Sequence, residues 1–140
     1  MQTASELNDC LVLNTVAAAR TLLRAGDAVL KPYGVTVQQF SLLAAIRLYQ
    51  GEPVASLAKH IHLDRSSLTR NLNLLERKGL VGRVAETRGN QRVCALTDEG
   101  ERLLDRLLPV WAEARARLHK NIPADNADTY LHLAKWFSTR

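Results

Sequence analysis

Residues 62–80 read HLDRSSLTRNLNLLERKGL, and their side chains fall into two chemical sets. On a helical wheel with Leu68 at the origin, Leu72 and Leu75 lie within about 40° of it, so the three leucines share one face. Ser66, Thr69, Arg70, Asn73 and Arg77 fall between roughly 100° and 200°, on the opposite side. Arg65 and Ser67 flank them in the first turn. A face kept only for solubility would carry Glu and Lys, which are better helix formers than Ser, Thr or Asn. Here short hydroxyl groups let the helix backbone approach a partner, and guanidinium groups stand among them. Arg70 suits a bidentate contact with a guanine edge, Asn73 an adenine, and Arg77 a phosphate. The first helical turn favours an anion. This is the chemistry of a helix in the major groove of double-stranded DNA.

Such a helix needs a frame that presents it. Asp64 is placed to cap its start and Gly79 to take the C′ position at its end. Before it, VASLAKH forms a short helix opened by Glu52-Pro53, and Ile61-His62-Leu63 makes the turn. Helix, turn and helix in this order make a helix-turn-helix. After Leu80 the pattern changes. Val81–Ala85 and Arg92–Leu96 are β-prone, with ETRGNQ as a hairpin tip, so a wing follows the second helix. Arg83, Arg88, Asn90 and Arg92 place further donors on that wing, with Arg88 at the turn.

The remaining segments are helical. Residues 5–30 read as one long helix with two adjacent apolar stripes, one through Leu7, Leu11, Ala18 and Leu22, the other through Val12, Val16, Ala19 and Leu23. A helix apolar over so wide an arc must bury more than one side, which points to a partner subunit. Pro32 and Gly34 end it. Thr36 with Gln39 has capping-box spacing and opens a helix running to Gln50-Gly51. Thr97 caps a long helix to about Lys120, in which Pro109 predicts a bend. Asn121-Ile122-Pro123 is a break, and a last helix covers about 125–138. Trp111, Trp136 and Phe137 are read as core or subunit interface.

Composition agrees with this. The chain has 140 residues, 46% hydrophobic and 24% charged, with a net charge of +5. Residues 64–92 hold seven Arg and Lys against three Asp and Glu, so this segment carries +4 of that charge. A localised basic segment on a balanced chain calls for a polyanionic partner. No apolar run approaches the ~18 residues of a membrane span, and no secretory signal opens the chain, so a cytoplasmic protein is expected. Cys10 and Cys94 are too few for a disulfide scaffold. His60 and His62 read as surface histidines, and no metal or cofactor is expected. No GxSxG, P-loop, HExxH or nucleophile–base arrangement suggests an enzyme.

LDRSSLTRNLNLLERKGLV, followed by a hairpin and ALTDEG, resembles the multiple antibiotic resistance regulator (MarR) family. LKPYGVTVQQFSLLAAI matches that family's first linker and second helix. The resemblance covers nearly the whole chain. It implies a mainly α fold with a small β-hairpin wing: a single domain, 1–140, with a winged helix-turn-helix lobe at 36–97 and dimerisation helices at 5–31 and 98–140. It further implies a homodimeric repressor on a pseudo-palindromic operator, released by a small aromatic or phenolic effector. Arg20 and Tyr33 are then candidates to line the effector site, and Cys10 is the candidate for a redox-sensing alternative. A winged-helix protein-interaction module without DNA binding is the other alternative. The family's Asp-x-Arg pair near the wing tip is replaced here by Arg88-Gly89-Asn90, so Arg88 at the turn is the expected minor-groove arginine, with Arg92 further down the strand as the alternative.

Overall fold

The computed structural model describes residues 4–84 and 91–140. They form two compact units, one ending at Val37 and one beginning at Gln38.

In the first unit, a 3-10 helix at Ala4–Asp9 precedes helix α1, Leu11–Leu30. The single long helix expected from residue 5 is therefore interrupted at Cys10, whose backbone is extended. The cause is local. Ser5, Asn8 and Asp9 compete with the helix for backbone hydrogen bonds. Asn14 completes the break by donating to the carbonyls of Asn8 at 2.7 Å and Cys10 at 2.8 Å. Within α1 only Gly26 and Leu30 are buried, so both apolar stripes, with Leu11, Val12, Leu22 and Leu23, lie exposed on the isolated chain. A 3-10 turn at Lys31–Tyr33 ends on Gly34 in the left-handed region, φ 77°. The Asp27 carboxylate then accepts from the backbone N–H of Val37 at 2.8 Å, satisfying a donor that the next helix leaves open.

The second unit holds α2 (Val37–Leu48, from Gln38 onward), α3 (Val54–His60), α4 (Arg65–Arg77), α5 (Asp98–Lys120) and α6 (Asn126–Ser138). Between α4 and α5, β1 (Val81–Arg83) pairs antiparallel with β2 (Cys94–Leu96), in the register Val81↔Leu96, Gly82↔Ala95 and Arg83↔Cys94. Just before β2, Val93 bridges Pro53, and Val54 donates to the Arg92 carbonyl at 2.8 Å, so the wing is stitched to the start of α3. The fold is mainly helical with a small two-stranded wing, as expected.

Leu42, Leu43, Ile46, Leu57, Leu72, Leu75, Leu104 and Leu107 are the fully buried large side chains of this unit. Phe40 meets Trp111 with ring centroids 5.2 Å apart. Arg47, near the end of α2, donates to Glu101 at 2.9 Å and pairs with Asp105 at 2.8 Å on successive turns of α5. α5 runs as one helix through Pro109. The large apolar residues of α6 are not core: Tyr130, Leu131, Leu133, Trp136 and Phe137 are all exposed on the isolated chain. Among the described residues, no helix is long and apolar enough to cross a membrane.

Two contacts join the end of α4 to the start of α5. The Thr97 hydroxyl donates to the Gly79 carbonyl at 2.6 Å and accepts from the Gly100 N–H at 3.1 Å. The Thr97 N–H donates to the Leu80 carbonyl at 3.1 Å. Gly100 is buried against that same carbonyl: a Cβ there would fall inside contact distance of the Leu80 oxygen and 3.1 Å from its carbon. This explains physically why a glycine stands in the first turn of α5.

Candidate nucleic-acid interface

Helices α3 and α4 meet through a short turn in which Leu63 donates to the Ala58 carbonyl at 3.0 Å and His62 adopts a left-handed backbone, φ 54°. His60 is held away from the turn. It stacks on Tyr49, with ring centroids 3.7 Å apart, and its Nε2 lies 3.0 Å from Glu52.

Asp64 caps α4 as the sequence predicts. Its carboxylate accepts from the Ser66 hydroxyl at 2.6 Å and from the Ser67 N–H at 3.0 Å. These bonds, the Ser66 hydroxyl first, hold the carboxyl well below the usual carboxylate range. With the folded-state pKa depressed, the stability the cap contributes is fully present above the ordinary carboxylate pKa and is lost progressively as pH falls from there through the lowered folded-state value.

Leu68, Leu72 and Leu75 point inward, and Arg65, Ser66, Thr69, Arg70, Asn73 and Arg77 are exposed. The wheel therefore separates the two faces correctly, with Ser67 half-buried between them. Arg70 lies along the helix, donating through Nη2 to the Ser67 hydroxyl at 3.3 Å. One inward residue was missed. Asn71 is buried beside the leucines and bonded to α2. It lies at about −60° on the same wheel, next to Leu75, so its inward direction was readable there.

The wing residues divide. Arg88 and Asn90 lie outside the described residues. Arg92 and Arg83 both donate to one oxygen of Glu76, near the end of α4, the second at 3.4 Å. Burial pulls the Glu76 carboxyl upward, but Arg92 and then Arg83 outweigh it and the net shift is downward. Arg92 is half-buried in this pair, whereas Arg83 stays exposed. Arg92 thus ties the wing to α4.

The effector and redox candidates all lie in the first unit. Arg20 is exposed on α1, Tyr33 is half-buried in the 3-10 turn, and Cys10 is a free thiol at the N-cap of α1. Cys94 is free and buried in β2, and burial pushes its thiol up. The thiolate is the reactive form. Iodoacetamide at pH 8 should therefore label Cys10 in the folded protein and leave Cys94 intact, read by mass spectrometry of peptides. Equal labelling would show that β2 opens readily.

Residues 35–93, which hold α2 to α4, β1 and the start of the wing's return, match the MarR family model. The chain belongs to the MarR family. The match to the MarR family includes the whole helix-turn-helix. Over its full length the chain is similar to the M. tuberculosis transcriptional regulator MosR, with 33% identity, a TM-score of 0.81, and 95% of this chain and 96% of that one covered. MosR has also been solved in complex with DNA. A mutant of E. coli MarR in complex with operator DNA is 25% identical, with a TM-score of 0.81 and 94% and 96% covered. The HTH-type regulator YhbI of Bacillus subtilis is 29% identical over 98 residues, 69% of this chain and 63% of its own length. Several other Bacillus HTH-type regulators are 32% identical over 80 residues, so the chain matches about half to two thirds of the length of these curated relatives.

Proposed function

We propose that the protein is a sequence-specific DNA-binding transcriptional regulator that acts as a homodimeric repressor at a pseudo-palindromic operator. The observation that carries this is α4, which buries its leucines and exposes Ser66, Thr69, Arg70, Asn73 and Arg77 on one face. DNA complexes of two similar MarR-family regulators support the same reading. The exposed apolar side chains of α1 and of α6 are the surfaces we assign to the second subunit. Contiguous exposed apolar patches of this kind mark interaction sites. A dimer places two recognition helices about one DNA turn apart, roughly 34–36 Å, so that they enter successive major grooves. A small aromatic or phenolic effector held by Arg20 and Tyr33 would favour a spacing unsuited to the operator, and affinity would fall by the ratio of its affinities for the two states.

The test has two parts. Selection from random duplexes should enrich an inverted repeat, and a gel shift on the enriched duplex should give one discrete complex. Sedimentation at micromolar concentration should show a dimer without DNA. A well-folded monomer under those conditions would defeat the two-half-site model, and enrichment of no sequence would defeat the regulatory reading.

A further inference from the structure

α4 carries a polar group on the side where only packing was expected. Asn71 is 6% exposed, at the Leu75 edge of the leucine face, and its carboxamide makes three hydrogen bonds. Its Oδ1 accepts from Gln39 Nε2 at 3.3 Å. Its Nδ2 donates to Gln38 Oε1 at 3.2 Å and to the Ser67 carbonyl at 2.9 Å. Gln39 is itself 5% exposed, in the first turn of α2. Two buried amides from segments 32 positions apart thus meet.

An apolar residue would bury more cheaply here, because desolvating an amide costs free energy that its bonds only offset. What a carboxamide adds is direction. Leucine contacts are nearly indifferent to small slides and rotations of one helix on another, whereas hydrogen bonds weaken steeply once misaligned. Single buried polar groups are known to set register in this way, at a cost in stability. The network also continues outward. Asn71 holds the Ser67 carbonyl, and the Ser67 hydroxyl accepts from Arg70, so the anchor on α2 lies two hydrogen-bonding residues from a DNA-facing guanidinium.

We infer that Asn71 is a specificity-determining positioning residue: with Gln38 and Gln39 it fixes the rotation and axial setting of α4, so that the exposed face meets base edges in one register. The inference rests on the DNA-binding reading above and adds a separable consequence. Base contacts need close alignment, and phosphate contacts tolerate small shifts. Loosening α4 should therefore cost selectivity and spare general affinity.

The test compares wild type, Asn71→Leu, the double variant Gln39→Leu/Asn71→Leu, and Gln38→Ala, using the full chain. Each is titrated with the duplex enriched by the wild type and with a scrambled duplex of the same composition, beside a urea unfolding curve. Asn71→Leu alone removes the Asn71 partner of the Gln39 amide and should lower stability. The double variant removes both amides of that bond and should recover part of that loss. Both should bind the enriched duplex about tenfold more weakly, near the effect of one mismatched base pair, with scrambled-duplex affinity unchanged. Gln38→Ala removes one bond from an exposed side chain and should give a smaller fall in the same ratio. A purely structural role predicts otherwise: selectivity would return with stability in the double variant, and Gln38→Ala would have none to lose. That outcome overturns the inference. If Gln39→Leu/Asn71→Leu does not fold, Gln38→Ala decides alone, an unchanged ratio being the overturning result. If the wild type enriches no duplex, the functional reading fails and this one with it, whereas an enriching wild type matched by its variants removes only the role of Asn71.

Discussion

Gly100→Ala should destabilise the fold by about 3 kcal/mol, the upper part of the range for forcing an extra methyl into a packed site. The added carbon would collide with backbone, the Leu80 carbonyl, and not with the flexible tip of a side chain. That carbonyl cannot retreat freely, because it also accepts from the Thr97 N–H. Relief requires moving either the first turn of α5 or the segment that ends α4 and begins β1. Alanine is the better helix former by about 1 kcal/mol in an unobstructed helix, so propensity predicts the opposite sign. Urea unfolding of both proteins at one fixed concentration decides between them, since the apparent stability of the proposed dimer would depend on concentration. A loss below 1 kcal/mol would mean that the close approach relaxes at little cost.

Arg70→Ala should weaken binding to the duplex enriched by the wild type by about 1–3 kcal/mol, the value of a good bidentate base contact. The residue is exposed, opposite the leucines, and donates to the Ser67 hydroxyl, so its removal should leave folding and subunit assembly intact. Salt dependence tells which atoms it touches. A base contact leaves the log–log slope of affinity against salt nearly unchanged and relaxes selectivity at one position. A phosphate contact lowers the slope by roughly 0.9 and weakens all duplexes alike. Unchanged affinity for the enriched duplex would remove Arg70 from the interface.

The parts of this fold legible in the sequence are those governed by interactions a few residues long. Asp64, Gly79 and Thr97 announce the ends of α4 and α5 because caps act over three or four positions. The leucines of α4 announce its buried side because they repeat at helical spacing. The break at Cys10 was obscured by apolar periodicity that continues across it, while the short polar residues around it decide the backbone. The pairing of Asn71 with Gln38 and Gln39, and of Glu76 with Arg83 and Arg92, depends on segments brought together from 7 to 33 positions apart. No local pattern encodes such partners. For the same reason the basic residues of 64–92 looked equivalent by charge. Folding divides them into Arg65, Arg70 and Arg77, exposed on α4, and Arg92, engaged with Glu76.

The single hydroxyl of Thr97 serves two helices at once, accepting from the first turn of α5 and donating to the Gly79 carbonyl just after α4. Helix ends ordinarily fray independently, each at a low free energy of opening. Here each end keeps its own closing bonds, and opening either one also costs the bonds from Thr97 to the Gly79 and Leu80 carbonyls. The end of α4 and the start of α5 are therefore coupled, and amide hydrogen exchange should show them opening together more often than two unlinked helix ends would.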